Sequence, residues 1–171
     1  QKTAYEILTC DWSSDVCSSD LLIGELLGAD EVAAARALAR RLCELGALVG
    51  VVFGAIILAG WTVIPRLFTS DRDVVDATGA AWGWFALMQP FGGVVFAIDG
   101  ILIGAGDNAA IRNLTLLSIG LGYLPCLLGT LFLGWGLTGL WVGLTLFILL
   151  RFVLLGGRTL RGGWAVGGAT A

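Results

Sequence analysis

The stretch QPFGGVVFAIDGILIGAGD, residues 89–107, decides how the chain is read. It sets a proline, Pro90, and a lone carboxylate, Asp99, inside an otherwise uncharged apolar run. In a bilayer both are costly unless they face protein or a water-filled cavity. An intramembrane acid therefore marks a candidate functional site.

Composition puts that stretch in a membrane. Of 171 residues, 57% are hydrophobic and 13% charged, with a mean hydropathy of +0.90, whereas a soluble domain carries about 25% charge. An all-α, polytopic membrane helix bundle is expected. The net charge is −3 and the arginines form short clusters between apolar runs, so nothing points to nucleic acid. There is no histidine, and Cys10, Cys17, Cys43 and Cys126 make no CxxC pair, which argues against a zinc or thioredoxin-like site. No G-x-S-x-G elbow, H-E-x-x-H or Walker loop is present, so the chain does not read as an enzyme. The GAGD at 104–107 lacks the second half of G-x-G-x-x-G and follows a membrane helix rather than a strand.

Outward from 89–107, charge-free runs mark four complete spans: about 45–65, 74–104, 113–133 and 137–155. Twenty residues at about 1.5 Å each cross the roughly 30 Å hydrocarbon core. Ser70 and Asp73 have the spacing of a capping box ahead of the second span. Pro90 removes an amide donor and predicts a kink in that span; Pro125 predicts another in the third. Gly134, Trp135 and Gly136 mark a tight turn before the fourth. Gly46, Gly50 and Gly54 form a small-residue strip on the first span, and Gly139 and Gly143 repeat the spacing on the last. Both invite close helix packing.

Upstream, residues 21–28 read as the tail of an apolar helix, with Asp30 placed to cap a new one. Residues up to 44 then read as an amphipathic helix at the membrane surface. Residues 158–171 are Gly-rich and read as a flexible tail. Residues 1–20 hold the only lysine, two of the four cysteines and four of the six serines. They resemble a translated sequencing adapter, and the native chain is expected to begin upstream of Leu21. Arg36, Arg40, Arg41, Arg112, Arg151, Arg158 and Arg161 fall on one side of the four spans, and Arg66 and Arg72 on the other. The positive-inside rule makes the first side, and the C-terminus, cytoplasmic.

Asp99 has three readings: a coupling or binding group within the span, a carboxylate reaching the headgroups near Asp107, or a hydrogen-bonding partner for a neighbouring helix. Gln89 could donate to a substrate or to the carbonyl that Pro90 leaves without its helical donor. Phe91 and Phe96 read as lipid or packing surface.

LLGADEVAAARALARR, IPRLFTSD, LMQPFGGVVFAIDGILIGAGD and WGLTGLWVGLTLFILLR, in that order, resemble the C-terminal third of a multidrug and toxic compound extrusion (MATE) transporter of the DinF-like bacterial branch. The resemblance implies helices nine to twelve of a twelve-helix, two-lobe antiporter in the bacterial inner membrane. It implies proton or sodium as coupling ion, no further cofactor, and export of amphipathic, often cationic compounds. Asp99 matches an acidic position of the tenth helix, where it could exchange a proton between two access states. The N-terminal lobe would be a required partner, so these spans alone should not transport. A lipid-linked oligosaccharide flippase of the same superfamily and a small membrane scaffold subunit are the alternatives.

Overall fold

In the computed structural model residues 19–61, 63–68 and 71–166 are described. Most of the adapter-like segment, the capping box that rests on Ser70 and the last five residues lie outside them. The described residues form α1 (Ser19–Gly28), α2 (Val32–Ala59), α3 (Ile64–Phe68), α4 (Arg72–Gly104), α5 (Asn108–Ser118), a π-helical turn (Ile119–Tyr123), α6 (Leu124–Leu133) and α7 (Gly136–Leu160). Among them, four stretches are long and apolar enough to cross a bilayer: Val32–Ala59, Ala81–Gly104, Asn108–Leu133 and Gly136–Leu160. The fold is the expected all-α bundle with four candidate spans.

Three local features differ from the sequence reading. The amphipathic segment is no separate surface helix: it is the first part of α2 and continues straight into the span. Neither glycine nor proline interrupts residues 32–45, so nothing ends the helix there. At about 1.5 Å per residue, 28 residues reach about 42 Å, longer than the hydrocarbon core, and the arginine-bearing turns project beyond it.

Asp30 does not cap α2. It sits at φ 60° just after α1, where Glu31 N–H donates to Leu26 O at 2.8 Å and Asp30 N–H to Leu27 O at 3.1 Å. This pair of bonds is a Schellman ending, which satisfies carbonyls a helix otherwise leaves orphaned. The end of α4 is built the same way: Asp107 N–H donates to Leu102 O and Gly106 N–H to Ile103 O, both at 2.9 Å, with Gly106 at φ +75°. The likeness is in the sequence too. LLGADEVAAAR at 26–36 and LIGAGDNAAIR at 102–112 are identical at six of eleven positions, an internal repeat that reverses the chain twice by one device.

The third difference is at the C-terminal end. Residues 161–165 fold back onto α7 instead of trailing away. Trp164 is 4% exposed and its Nε1 donates to Thr159 O at 2.9 Å. Trp164 and Ala165 join Ile23 and Leu27 of α1, Ala35 and Ala39 of α2, Val95, Ile98, Ile101 and Leu102 of α4 and Leu155 of α7 in one cluster. A composition of glycine and alanine hid a single large aromatic that could fill the space between four helices.

That cluster lies at the arginine-rich end. Further along α2, large apolar side chains such as Leu48, Val52 and Ile56 face outward, as they would toward lipid. Within the spans, Ser118, Thr130, Thr145 and Thr159 hydroxyls donate to the carbonyl four residues back, at 2.8 to 2.9 Å. Such bonds keep hydroxyls satisfied where no water is at hand.

Candidate functional site

α4 carries both sequence-designated polar residues, and it turns them toward different neighbours. Gln89 and Asp99 are ten residues apart, about 15 Å along a helix. The structure does not bring them together.

Gln89 lies on the face packed against α2. A Cβ at Gly50 would run into Gln89 O and lie 2.8 Å from Pro90 Cα; one at Gly54 would lie 3.0 Å from Ala86 O and 3.6 Å from Gln89 Cβ. A Cβ at Gly46 would lie 3.2 Å from Ala97 Cβ, and one at Gly93 would meet Gly46 O. Three glycines four residues apart thus bring two backbones into direct contact. α4 runs through Pro90 as one helix. Pro90 leaves Ala86 O without a helical donor, yet Gln89 Nε2 donates to Phe85 O at 3.2 Å, one residue earlier than expected. Trp82 ties the same two helices further out, its Nε1 donating to Ile57 O at 2.7 Å.

Asp99 faces α7. Both carboxylate oxygens accept from Arg151 Nη2 at 2.9 Å, with the side chains 19% and 15% exposed. The guanidinium lies 5.7 Å from the centre of the Phe147 ring, a cation–π distance, and Arg151 Nε is buried without a partner among the described residues. Beside it, Phe91 meets Phe152 edge to face at 5.4 Å. Phe96 is 79% exposed.

A second ion pair lies two turns further along. Asp107 Oδ2 accepts from Arg158 Nη2 at 2.8 Å and Nε at 2.9 Å. Asp107 stands at the N-cap position of α5 but makes no side-chain cap bond; its carboxylate serves α7 instead. α7 is therefore held by two salt bridges, one to α4 and one to the turn that leads from α4 into α5. Sequence reading counted Arg151 and Arg158 only as flanking charges and missed both partners. Part of the signal was there: acids eight residues apart, Asp99 and Asp107, answer arginines seven apart on α7, Arg151 and Arg158.

Pro125 sits at the start of α6, directly after the π turn. A π turn is a common way for a helix to absorb a local irregularity. On α7, a Cβ at Gly143 would lie 2.7 Å from Cys126 Cβ, and one at Gly139 would lie 2.5 Å from Thr130 Oγ1 and 2.7 Å from Trp135 Cβ. These glycines bring α7 against α6 and the turn between them, where Gly134 has φ +71°.

Residues 17–128 match the MatE family. Protein DETOXIFICATION 42 of Arabidopsis thaliana is 32% identical over 139 residues, which is 80% of this chain and 25% of that protein. An uncharacterized transporter of Schizosaccharomyces pombe is 30% identical over 129 residues, 75% of this chain and 24% of its own length. The chloroplastic Protein DETOXIFICATION 44 of Arabidopsis thaliana is 26% identical over 128 residues, 74% of this chain and 23% of its own length. The chain spans about a quarter of the length of these curated relatives. No solved structure matches it. The family match covers well over half of the sequence, including α4 with its paired Asp99, and on that ground the chain belongs to the MatE family of membrane transporters, which are not enzymes.

Proposed function

We propose that the chain supplies the last four spans of a cation-coupled multidrug exporter of the DinF-like branch, set in a bacterial inner membrane with the arginine-rich end cytoplasmic. The reading is supported by the four motifs in family order and by the seven arginines on one side of the spans. The bacterial assignment rests on those motifs alone, since the matched relatives named above are from a plant and a yeast.

The observation that carries the mechanism is the Asp99–Arg151 pair. A carboxylate inside a span is held by one guanidinium, and a proton or sodium ion arriving at Asp99 competes for the same oxygens. Binding the cation releases Arg151 and loosens α4 from α7; losing it restores the bridge. A second lobe completes the transport path, and amphipathic, often cationic compounds are the cargo. The test is Asp99→Asn in a full-length transporter containing these spans. Membrane insertion should be unchanged while efflux of a cationic dye, driven by an imposed proton or sodium gradient, falls at least tenfold. Efflux and cation dependence equal to those of the parent protein would remove Asp99 from the coupling path.

A further inference from the structure

We propose that the arginine-rich end of the bundle holds the headgroup of an anionic phospholipid in a groove between the first turns of α2 and the folded-back turn after α7. The groove measures about 560 Å³ and is lined by Arg36, Arg40 and Cys43 on one side and by Leu160, Arg161 and Trp164 on the other.

Two of its three arginines are uncompensated. Arg40 and Arg41 both reach Glu44, at 3.4 Å, but Arg36 and Arg161 have no carboxylate partner among the described residues. The site is also built. Gly162, at φ +69°, passes under the Arg36 guanidinium, where a Cβ would lie 3.3 Å from Nη2. Trp164 lines the groove and is fixed by its bond to Thr159 O. Guanidinium groups match phosphate oxygens in charge and geometry, and basic pockets between membrane helices take anionic headgroups.

A lipid fits better than a free anion because of what lies above the groove. From Arg36 and Arg40 the same face of α2 continues through Cys43, Ala47 and Val51 at three- and four-residue spacing, all uncharged, with Val51 turned outward. A charged seat at the foot of an apolar stripe suits a headgroup with its acyl chain. The inference does not depend on transport or on the role of Asp99.

The test is native mass spectrometry of the purified chain with phosphatidylglycerol, with phosphatidylcholine of the same acyl chains, and with inorganic phosphate. Phosphatidylglycerol should be retained in preference to phosphatidylcholine. The double change Arg36→Gln with Arg161→Gln should weaken phosphatidylglycerol retention about tenfold and leave phosphatidylcholine unchanged. Arg161→Gln alone, at an exposed and unpaired side chain that cannot unsettle the fold, should weaken it about threefold. Arg112→Gln makes the same charge change at the same end but outside the groove, and should have no effect. Equal retention of the two lipids, an Arg112→Gln effect as large as that of Arg161→Gln, or displacement of phosphatidylglycerol by millimolar inorganic phosphate would each overturn the proposal.

Discussion

Asp99 on α4 and Arg151 on α7 are 52 residues apart in sequence and joined by one guanidinium nitrogen 2.9 Å from each carboxylate oxygen. Removing one member leaves a mostly buried charge without its counter-ion. A dry pair broken this way costs about 3–5 kcal/mol; with the Arg151 and Asp99 side chains 15% and 19% exposed, water relieves part of that. Arg151→Gln should therefore destabilise the bundle by about 2 kcal/mol. Adding Asp99→Asn should recover part of the loss, a coupling that a double-mutant cycle read by thermal unfolding in detergent will measure.

Glycines on α2 and α4 should divide by what surrounds them. Gly50→Val forces a side chain into Gln89 O and Pro90 Cα and should cost about 1–3 kcal/mol. Gly92→Ala, where nothing lies within 4 Å of the new Cβ, should be neutral or stabilising by up to about 1 kcal/mol, because alanine is the better helix former. Equal effects at the two sites would contradict the backbone contact between the helices.

The paired helix endings make the same demand of one position, met by an aspartate in one and a glycine in the other. Asp30 holds φ 60° and its counterpart Gly106 holds φ +75°. Asp30→Gly relieves a left-handed non-glycine residue and should stabilise by about 0.5–1 kcal/mol; Gly106→Ala imposes one and should destabilise by about 1–2 kcal/mol. Chemical or thermal unfolding of the two variants side by side gives the signs directly.

Trp164→Ala tests whether the C-terminal turn belongs to the core. Burial at 4% exposure among residues from α1, α2, α4 and α7 predicts a loss of about 3 kcal/mol, within the range for large aromatics. It also predicts faster proteolysis after Arg158 or Arg161. A melting point within a degree of the parent protein would show the turn to be detachable.

What could be read from the residues alone follows from how local each determinant is. Charge-free runs, Gly134 and Gly136, and the GAGD ending are statements about neighbours in sequence, and four candidate spans appear in the expected order, although the first begins at Val32 rather than at 45. Asp99 is different, because its partner is a matter of which helix lies beside α4. The arginine that answers it looked like one more flanking charge. The C-terminal turn misled for a related reason: its glycines speak of freedom, while Trp164 is fixed by side chains from far earlier in the chain. The repeat at 26–36 and 102–112 is legible in the residues, and by its likeness to the GAGD ending it places Asp30 at the end of α1 and not at the start of α2.

The glycine strip has a mechanical consequence. Along Gly46, Gly50 and Gly54, α2 touches α4 through main-chain atoms, with no flexible side chains between them to yield. Sliding one helix past the other by a single residue, about 1.5 Å, would carry a Cβ into a carbonyl, and the next free register is four residues away, about 6 Å. α2 and α4 are thus keyed together like a splined joint. α4 meets α7 differently, through side chains, the Asp99–Arg151 pair and rings such as Phe91 and Phe152, which can yield where main-chain atoms cannot.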